Sequence, residues 1–312
     1  MIYWDAPRLL IEPNSEIEWM STSAGAAAVA KESNELKIYL TGRDFQGRSN
    51  IGVIRVDENT FEILGIEEKP ILELGAPGSF DQNGISYPCV LGFQDRVYLY
   101  YTGWVEGVQV RWYNGVGLAI SENNGNFKKF SKAPIIHRTN EDFIGFGSTF
   151  VFSDESKFIA ISTRFESWDV TGNNHHYNLK AGTSIDGINF QWESKPIFPF
   201  NDGEFAISKP CVIKVNDIFM MWYSYRGSEY RIGLAASRNG IEWKRFDELH
   251  EIKVEEELWC NEMQCYPYVV ELSDKFVMFF NGNGYGRTGL GFTTMKRKSM
   301  EALVREVSQS ID

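Results

Sequence analysis

Residues 80–104 read FDQNGISYPCVLGFQDRVYLYYTGW, and the grammar of this stretch decides the fold because it recurs along the chain. A polar lead-in precedes an apolar run, YPCVL, and a second, strongly aromatic run follows, RVYLYYTGW. A third run of the form GLA comes next, in GVGLAISENNG, and then a fourth led by an aromatic and lysines, in FKKFSKAPII. The same order returns as EFAISKPCVIK, IFMMWYSYRG, YRIGLAASRNG and IEWKRF. It returns again as NEMQCYPYVVE, KFVMFFNGNGYG and RTGLGFTTM, where the last segment is missing. Two looser copies complete the set. One is AGAAAVAKE, LKIYLTGRD, NIGVIRVD and FEILGIEEKPIL; the other is FGSTFVF, KFIAISTRF, a long insertion, NLKAGTSIDG and FQWESKPIF.

Apolar runs this short, rich in aromatic and β-branched residues, read as strands rather than helical stripes. Four such runs recurring every ~60 residues are the pattern of four-stranded propeller blades. The expected fold is all-β: a five-bladed β-propeller over residues 1–295. The strand missing from the last unit has a donor at the N-terminus, because Trp4-Asp5-Ala6-Pro7-Arg8-Leu9-Leu10 matches Ser131-Lys132-Ala133-Pro134-Ile135-Ile136, which closes the second unit. Residues 3–11 are therefore expected to pair with the last blade and close the ring, which removes exposed edges. Residues 296–312, KRKSMEALVREVSQSID, put Met300, Leu303, Val304 and Val307 on one face. With Ser299 as cap they predict a short helix that docks on the propeller or on a second subunit, forming a homo-oligomer.

The composition narrows the function classes. A net charge of -11 argues against nucleic acid as partner, since phosphate backbones are bound by basic surface. No run approaches the roughly 20 apolar residues of a membrane span. The first residues, MIYWDAPRLLIEP, have neither the basic nor the apolar segment of a secretory signal. Cys89, Cys211 and Cys265 each stand beside the proline of a repeat copy, which suggests small buried thiols rather than disulfides. The expectation is a cytoplasmic protein. GNGYGRTGLG is followed by strand pattern, not by the helix that a dinucleotide site needs. His175 and His176 lack further ligands at metal-binding spacing. No cofactor or metal is expected.

In a propeller the lead-ins to the first strands and the turns between second and third strands lie on one face, so residues from all five units converge there. The lead-ins bring Asp81, Glu141, Asp142, Glu204 and Glu262. The turns bring Arg43, Asp44, Arg48, Trp104, Arg111, Arg226, Arg231, Tyr285 and Arg287, and the third-unit insertion adds Trp168, His175 and His176. Carboxylates bind hydroxyls and do acid and base work, aromatic rings stack on sugar faces, and guanidinium forks match carboxylate or phosphate. This mixture predicts a carbohydrate as partner, and glycoside cleavage by a pair of carboxyl groups. For each lead-in carboxylate the competing reading is a turn cap or an ion pair.

The segments GSFDQNGISYPCV, VYLYYTGW, EFAISKPCVIK, MMWYSYRG and GLAASRNGIEWK together resemble the five-bladed propeller glycoside hydrolase superfamily, which includes arabinanases, xylosidases, invertases and mannoside phosphorylases. The likeness extends to about Met295 and is nearest to glycosidase-like proteins of bacterial surface-polysaccharide biosynthesis. It implies an enzyme acting on an activated or anionic sugar. By position in the repeat, Asp142 resembles the family's stabilising Asp and Glu204 its acid. The family's first-blade Asp has no match, since the chain there reads Trp19-Met20-Ser21-Thr22-Ser23, and Asp81 is the nearest replacement as base or nucleophile. The family's Asp-Pro is here Tyr87-Pro88, Lys209-Pro210 and Tyr266-Pro267, which makes Lys209 a substrate-facing candidate. The resulting expectation is a glycoside hydrolase using Asp81, Asp142, Glu204 and Glu262. A phosphorylase that binds phosphate through the arginines, or a glycan-binding propeller without catalysis, are the alternatives.

Overall fold

The inner runs of each unit are almost continuously buried, as strands covered on both faces are, and each blade is four antiparallel strands, with blades 1 and 2 and blades 3 and 4 joined by single parallel bridges, Ser49 to Gly84 and Tyr177 to Ala206. The computed structural model describes residues 4–122, 126–155, 157–254 and 258–311. Residues 1–3, 123–125 and 312, which fall within stretches interpreted above, lie outside the described residues. The N-terminal strand β1 (Arg8–Ile11) is followed by blade 1, made of β2 (Ser23–Glu32), β3 (Glu35–Arg43), β4 (Ser49–Asp57) and β5 (Ile63–Ile66). Blade 2 holds β6 (Gly84–Phe93), β7 (Arg96–Glu106), β8 (Trp112–Glu122) and β9 (Lys128–Lys129). Blade 3 holds β10 (Phe146–Asp154), β11 (Lys157–Trp168), β12 (His175–Ser184) and β13 (Gln191–Trp192). Blade 4 holds β14 (Ala206–Val215), β15 (Ile218–Arg226), β16 (Tyr230–Ser237) and β17 (Lys244–Arg245). Blade 5 holds β18 (Cys265–Glu271), β19 (Lys275–Asn281) and β20 (Leu290–Lys296).

The outer strand of blade 5 is β1, paired antiparallel to β20 with Arg8 opposite Phe292, so the two ends of the chain close the ring. Trp4 anchors this closure, buried edge-on against Trp222 at 5.9 Å. The first strands β2, β6, β10, β14 and β18 touch one another in cyclic order and surround the axis.

Two devices explain the Thr-Gly pair of the aromatic run. The polar residue, which is Thr41, Ser224 or Asn281, accepts the backbone N–H of Tyr87, Tyr266 or Ala26 from the next blade. In this way it rivets neighbouring sheets together. The glycine lies under an aromatic ring: a Cβ at Gly42 or Gly52 would strike Trp19, one at Gly103 or Gly117 would strike Phe80, and one at Gly282 or Gly291 would strike Trp259. Blade 1 thus uses its lead-in to seat Trp19, whose indole also donates to Glu67 O at 2.9 Å.

The C-terminal helix, Arg297–Ser308, buries Met300, Leu303, Val304 and Val307 against strands of blades 4 and 5. It begins two residues before the cap expected at Ser299, because β20 runs straight into it; its N-cap is Lys296, without a side-chain bond. All four cysteines are buried and free. Cys89 and Cys211 occupy equivalent positions, each accepting a backbone N–H from the next blade, Val151 at 3.2 Å and Val269 at 3.1 Å. Cys265 precedes its Tyr-Pro pair instead of following it, so its counterparts are Ser86 and Ser208, and the position matching Cys89 holds Tyr268.

Candidate active site at the propeller axis

Each innermost strand breaks register at one place, where an extra residue is pushed out of the ladder. In four blades that residue is non-glycine and left-handed: Ala26 at φ 49°, Tyr87 at 53°, Lys209 at 47° and Tyr266 at 61°. Such backbone costs of order 1–3 kcal/mol per residue and persists where the surroundings over-determine it. Here the rivets described above do so. For Lys209 the backbone N–H is received by Ser148 Oγ at 3.0 Å. The Pro that follows in three of the four lacks the N–H that the broken ladder would leave unpaired.

These bulges shape the axis. Tyr87 and Tyr266 meet edge to face at 5.3 Å, with their hydroxyls 3.4 Å apart. Phe165, Tyr177, Tyr230 and Met263 gather round them in a small cluster separate from the main core. Lys209 is 2 % exposed, and among the described residues its ammonium donates only to Pro88 O, at 3.4 Å. Burial pulls its pKa down.

Three of the five lead-in carboxylates, Asp81, Asp142 and Glu204, are each held inside their own blade. Asp81 is 2 % exposed and accepts from Lys129 Nζ at 2.6 Å and Tyr101 Oη at 3.1 Å. Since Lys129 lies on the outermost strand, Asp81 turns back over its blade. Glu204 takes both guanidinium N–H groups of Arg245 at 2.7 Å, and Arg245 also pairs with Asp247, which accepts from Tyr223 Oη at 2.6 Å. Lys129 and Arg245 are equivalent residues of the fourth strands, and Tyr101 and Tyr223 of the second strands, so blades 2 and 4 carry one clasp twice. Burial pushes the Glu204 carboxyl up, but the Arg245 and Asn201 hydrogen bonds outweigh it and hold the pKa below its ordinary value. Asp142, 3 % exposed, pairs with Arg164 at 2.5 Å and Lys180 at 2.7 Å. Asp81, Asp142 and Glu204 are thus not brought together by any contact. Glu262 is exposed, and its side chain makes no ion pair among the described residues.

The turn residues divide in two. Asp44 and Arg48 form a self-contained turn, with the Arg48 guanidinium on Asp44 at 2.7 Å and the Gln46 and Arg48 backbone N–H groups on the same carboxylate. Trp104 donates to Ser49 Oγ at 2.7 Å and carries Arg43 over its ring at 5.7 Å. By contrast, Arg43, Arg111, Arg226, Arg231 and Arg287 have no carboxylate partner among the described residues. Arg226 lies over Phe205 at 5.3 Å and Tyr230 at 5.4 Å, and its buried Nε has no partner among the described residues. Arg231 donates to the backbone carbonyls of Tyr230 and Glu262. Arg111 covers Trp112, and Trp112 and Trp168 both pack on His175. Burial first, then the Arg226 charge, lowers the His175 pKa to about 4, so this ring is neutral at pH 7. His176 is exposed beside Phe205 at 5.8 Å, and Tyr285, left-handed at φ 63°, stands 5.9 Å from Tyr230.

Glu166 was not among the residues picked from sequence. It is half-buried, touches Arg164 at 3.3 Å, and lines a cavity of about 440 Å³ between blades 2 and 3 with Val110, Tyr113, Arg138, Phe143, Ile144, Ser167 and Trp168. Its position inside the third-unit insertion, two residues before Trp168, was the available signal.

Residues 146–287, from blade 3 into blade 5, match the family model described as beta-1,4-mannooligosaccharide phosphorylase. A glycosyl hydrolase from Bacteroides ovatus superposes with a TM-score of 0.73 at 14% identity, over 95% of this chain and 95% of its own. A further structure, from the family of mannoside phosphorylases that contains glycoside hydrolases targeting beta-1,2 mannosidic linkages in Candida mannan, gives 0.74 at 15% identity, over 95% of this chain and 94% of that one. Both likenesses concern the fold. Proteins of two Mycobacterium tuberculosis strains, described as uncharacterized, are 31% identical over 297 residues, covering 94% of this chain and 99% of theirs. The chain belongs to one family with these mycobacterial proteins, and it carries the match to the mannooligosaccharide phosphorylases across its third to fifth blades.

Proposed function

We propose that the protein is a glycoside phosphorylase whose site lies at the axial mouth. One observation carries this reading. The lead-in carboxylates Asp81, Asp142 and Glu204 are each matched by their own cations, whereas five arginines of the turns, Arg226 over Tyr230 of the axial cluster among them, have no acidic partner among the described residues, in a chain of net charge -11. Unneutralised guanidinium groups beside aromatic rings suit a small oxyanion next to a sugar. The match to the β-1,4-mannooligosaccharide phosphorylases supports the same class and suggests a β-mannoside as substrate.

The chemistry also fits the shortage of free carboxylates. Hydrolysis draws on two carboxyl groups, one as acid and one to activate water or to attack the sugar. In phosphorolysis a phosphate oxygen attacks the anomeric carbon as the C–O bond to the leaving group breaks. A single carboxylic acid protonates the departing oxygen, and the products are a glycosyl phosphate and the released alcohol. Glu262, without an ion pair among the described residues, and Glu166, which touches Arg164 at 3.3 Å, are the candidates for that acid role, and Arg226 with Arg43 holds the phosphate. The reduced cysteines fit a cytoplasmic setting, where phosphate is at hand. A hydrolase gripping an acidic sugar through the same arginines is the second reading.

The test is to incubate the protein with β-1,4-mannobiose, with and without inorganic phosphate, and follow the products by 31P NMR. Mannose phosphate formed only when phosphate is present supports the proposal. Free mannose released at the same rate without phosphate makes the protein a hydrolase, and tight binding of an intact glycan without turnover makes it a binder.

A further inference from the structure

The cavity between blades 2 and 3 has walls that ask for a different ligand chemistry from the axis. Val110, Tyr113, Phe143, Ile144 and Trp168 make most of its surface. Its polar groups are the fewer: Arg138, whose guanidinium lies over Tyr113 at 4.3 Å, Glu166, which touches Arg164, and Ser167.

The loops that carry the lining residues expose further apolar side chains. Val108, two residues before Val110, and Val170, two after Trp168, are fully exposed, and the lining residue Phe143 is 66% exposed. The two valine loops are tied to each other: Arg111 N–H donates to Gly172 O at 3.1 Å, and Gly172, at φ 70°, lies so close to the Gln109 carbonyl that a Cβ would collide with it. Asp169 ties the second loop from within through Thr171, Asn173 and Asn174. The cavity adjoins the axis, because its lining residue Ile144 packs on the axial cluster and Trp168 lies 4.7 Å from His175. Its volume, about 440 Å³, lies in the range of small-molecule sites.

We infer that this cavity binds the apolar aglycone, an alkyl or aryl group, of the glycoside whose sugar occupies the axial site. The inference rests on the glycoside-processing reading above, and the aglycone is the part of the substrate that leaves with the proton.

Calorimetric titration of the full chain with methyl and octyl β-D-mannopyranoside, below micelle concentration, tests it. The octyl compound is expected to bind at least about tenfold tighter, since even two buried methylenes give that much. Phe143→Ser, on an exposed position, should erase the gain and leave methyl mannoside binding unchanged. Equal affinities, or a gain that survives Phe143→Ser, overturn the inference while leaving the sugar site standing. If neither mannoside binds, the sugar-free apolar dye 8-anilinonaphthalene-1-sulfonate decides. Stoichiometric dye binding lost in Phe143→Ser upholds the apolar site while the glycoside reading fails, and its absence overturns both. Light scattering adds a last arm: a dimer that Phe143→Asp dissociates would mean a second copy fills the cavity, which also overturns the inference.

Discussion

Replacing Arg245 by methionine tests whether the lead-in carboxylates are clasps. Arg245 reaches both oxygens of Glu204 at 2.7 Å and Asp247 at 2.6 Å, and the Glu204 and Arg245 side chains are only 7% and 12% exposed. Arg245→Met strands a largely buried charge, which costs about 3–5 kcal/mol. At roughly 2 °C per kcal/mol for a chain of this size, the Tm should fall by about 6–10 °C. The exposed pair Arg96–Glu122 at 3.1 Å is the control, and Arg96→Met should cost no more than about 1 kcal/mol. The pH dependence has a definite sign. The folded Glu204 pKa is depressed, so its contribution is complete above the ordinary glutamate value and is lost as pH falls through the lower folded value. In Arg245→Met the burial that remains favours the protonated acid, so the gap between variant and wild type should narrow on acidification. Calorimetric melts at neutral and acid pH, with Glu204→Gln alongside, read this out. A drop below about 1 °C in Arg245→Met, or a Glu204→Gln protein that keeps its Tm and loses all turnover, refutes the reasoning.

Other substitutions probe the ring and the site. Asn281→Ala removes the acceptor of the buried Ala26 N–H and should cost about 1–3 kcal/mol, with faster hydrogen exchange at Ala26. Trp4→Ala opens the closure of the ring against Trp222 and should cost about 3–5 kcal/mol by denaturant titration. His250 is half-buried beside Trp4, and desolvation lowers its pKa to about 3, so the unfolded chain binds a proton there that the folded chain does not. Stability then falls as pH drops from the ordinary histidine value toward about 3, and His250→Phe should make the slope of Tm against pH shallower in that window. Arg226→Leu should abolish phosphate-dependent turnover while leaving the Tm close to wild type.

The propeller was legible because its repeat is written in aromatic strands, and the closing strand because Trp4 to Leu10 copies the end of blade 2. The clasps were half legible. Asp81 and Glu204 stood out in their lead-ins, but their cations Lys129 and Arg245 lie 48 and 41 residues away, in fourth strands of two residues each. The recurrence of a basic residue at that place in the repeat was the signal, since the fold turns equal repeat positions into equal contacts. The bulges were not legible, because nothing in the identity of Tyr87, Lys209 or Tyr266 announces a left-handed backbone; the rivets from the preceding blade impose it. The helix start shows the reverse case, a good local cap at Ser299 overruled by the strand that feeds it.

Phosphate itself is the most direct probe of the central claim, that the unpaired arginines at the axis form the anion site and the lead-in carboxylates hold the blades. Titration calorimetry of inorganic phosphate into wild type, Arg226→Leu and Glu204→Gln measures this without any knowledge of the sugar. A single phosphate site in wild type, kept in folded Glu204→Gln and lost in Arg226→Leu, is the predicted result. No phosphate binding by wild type, or binding that Arg226→Leu leaves untouched, would contradict it.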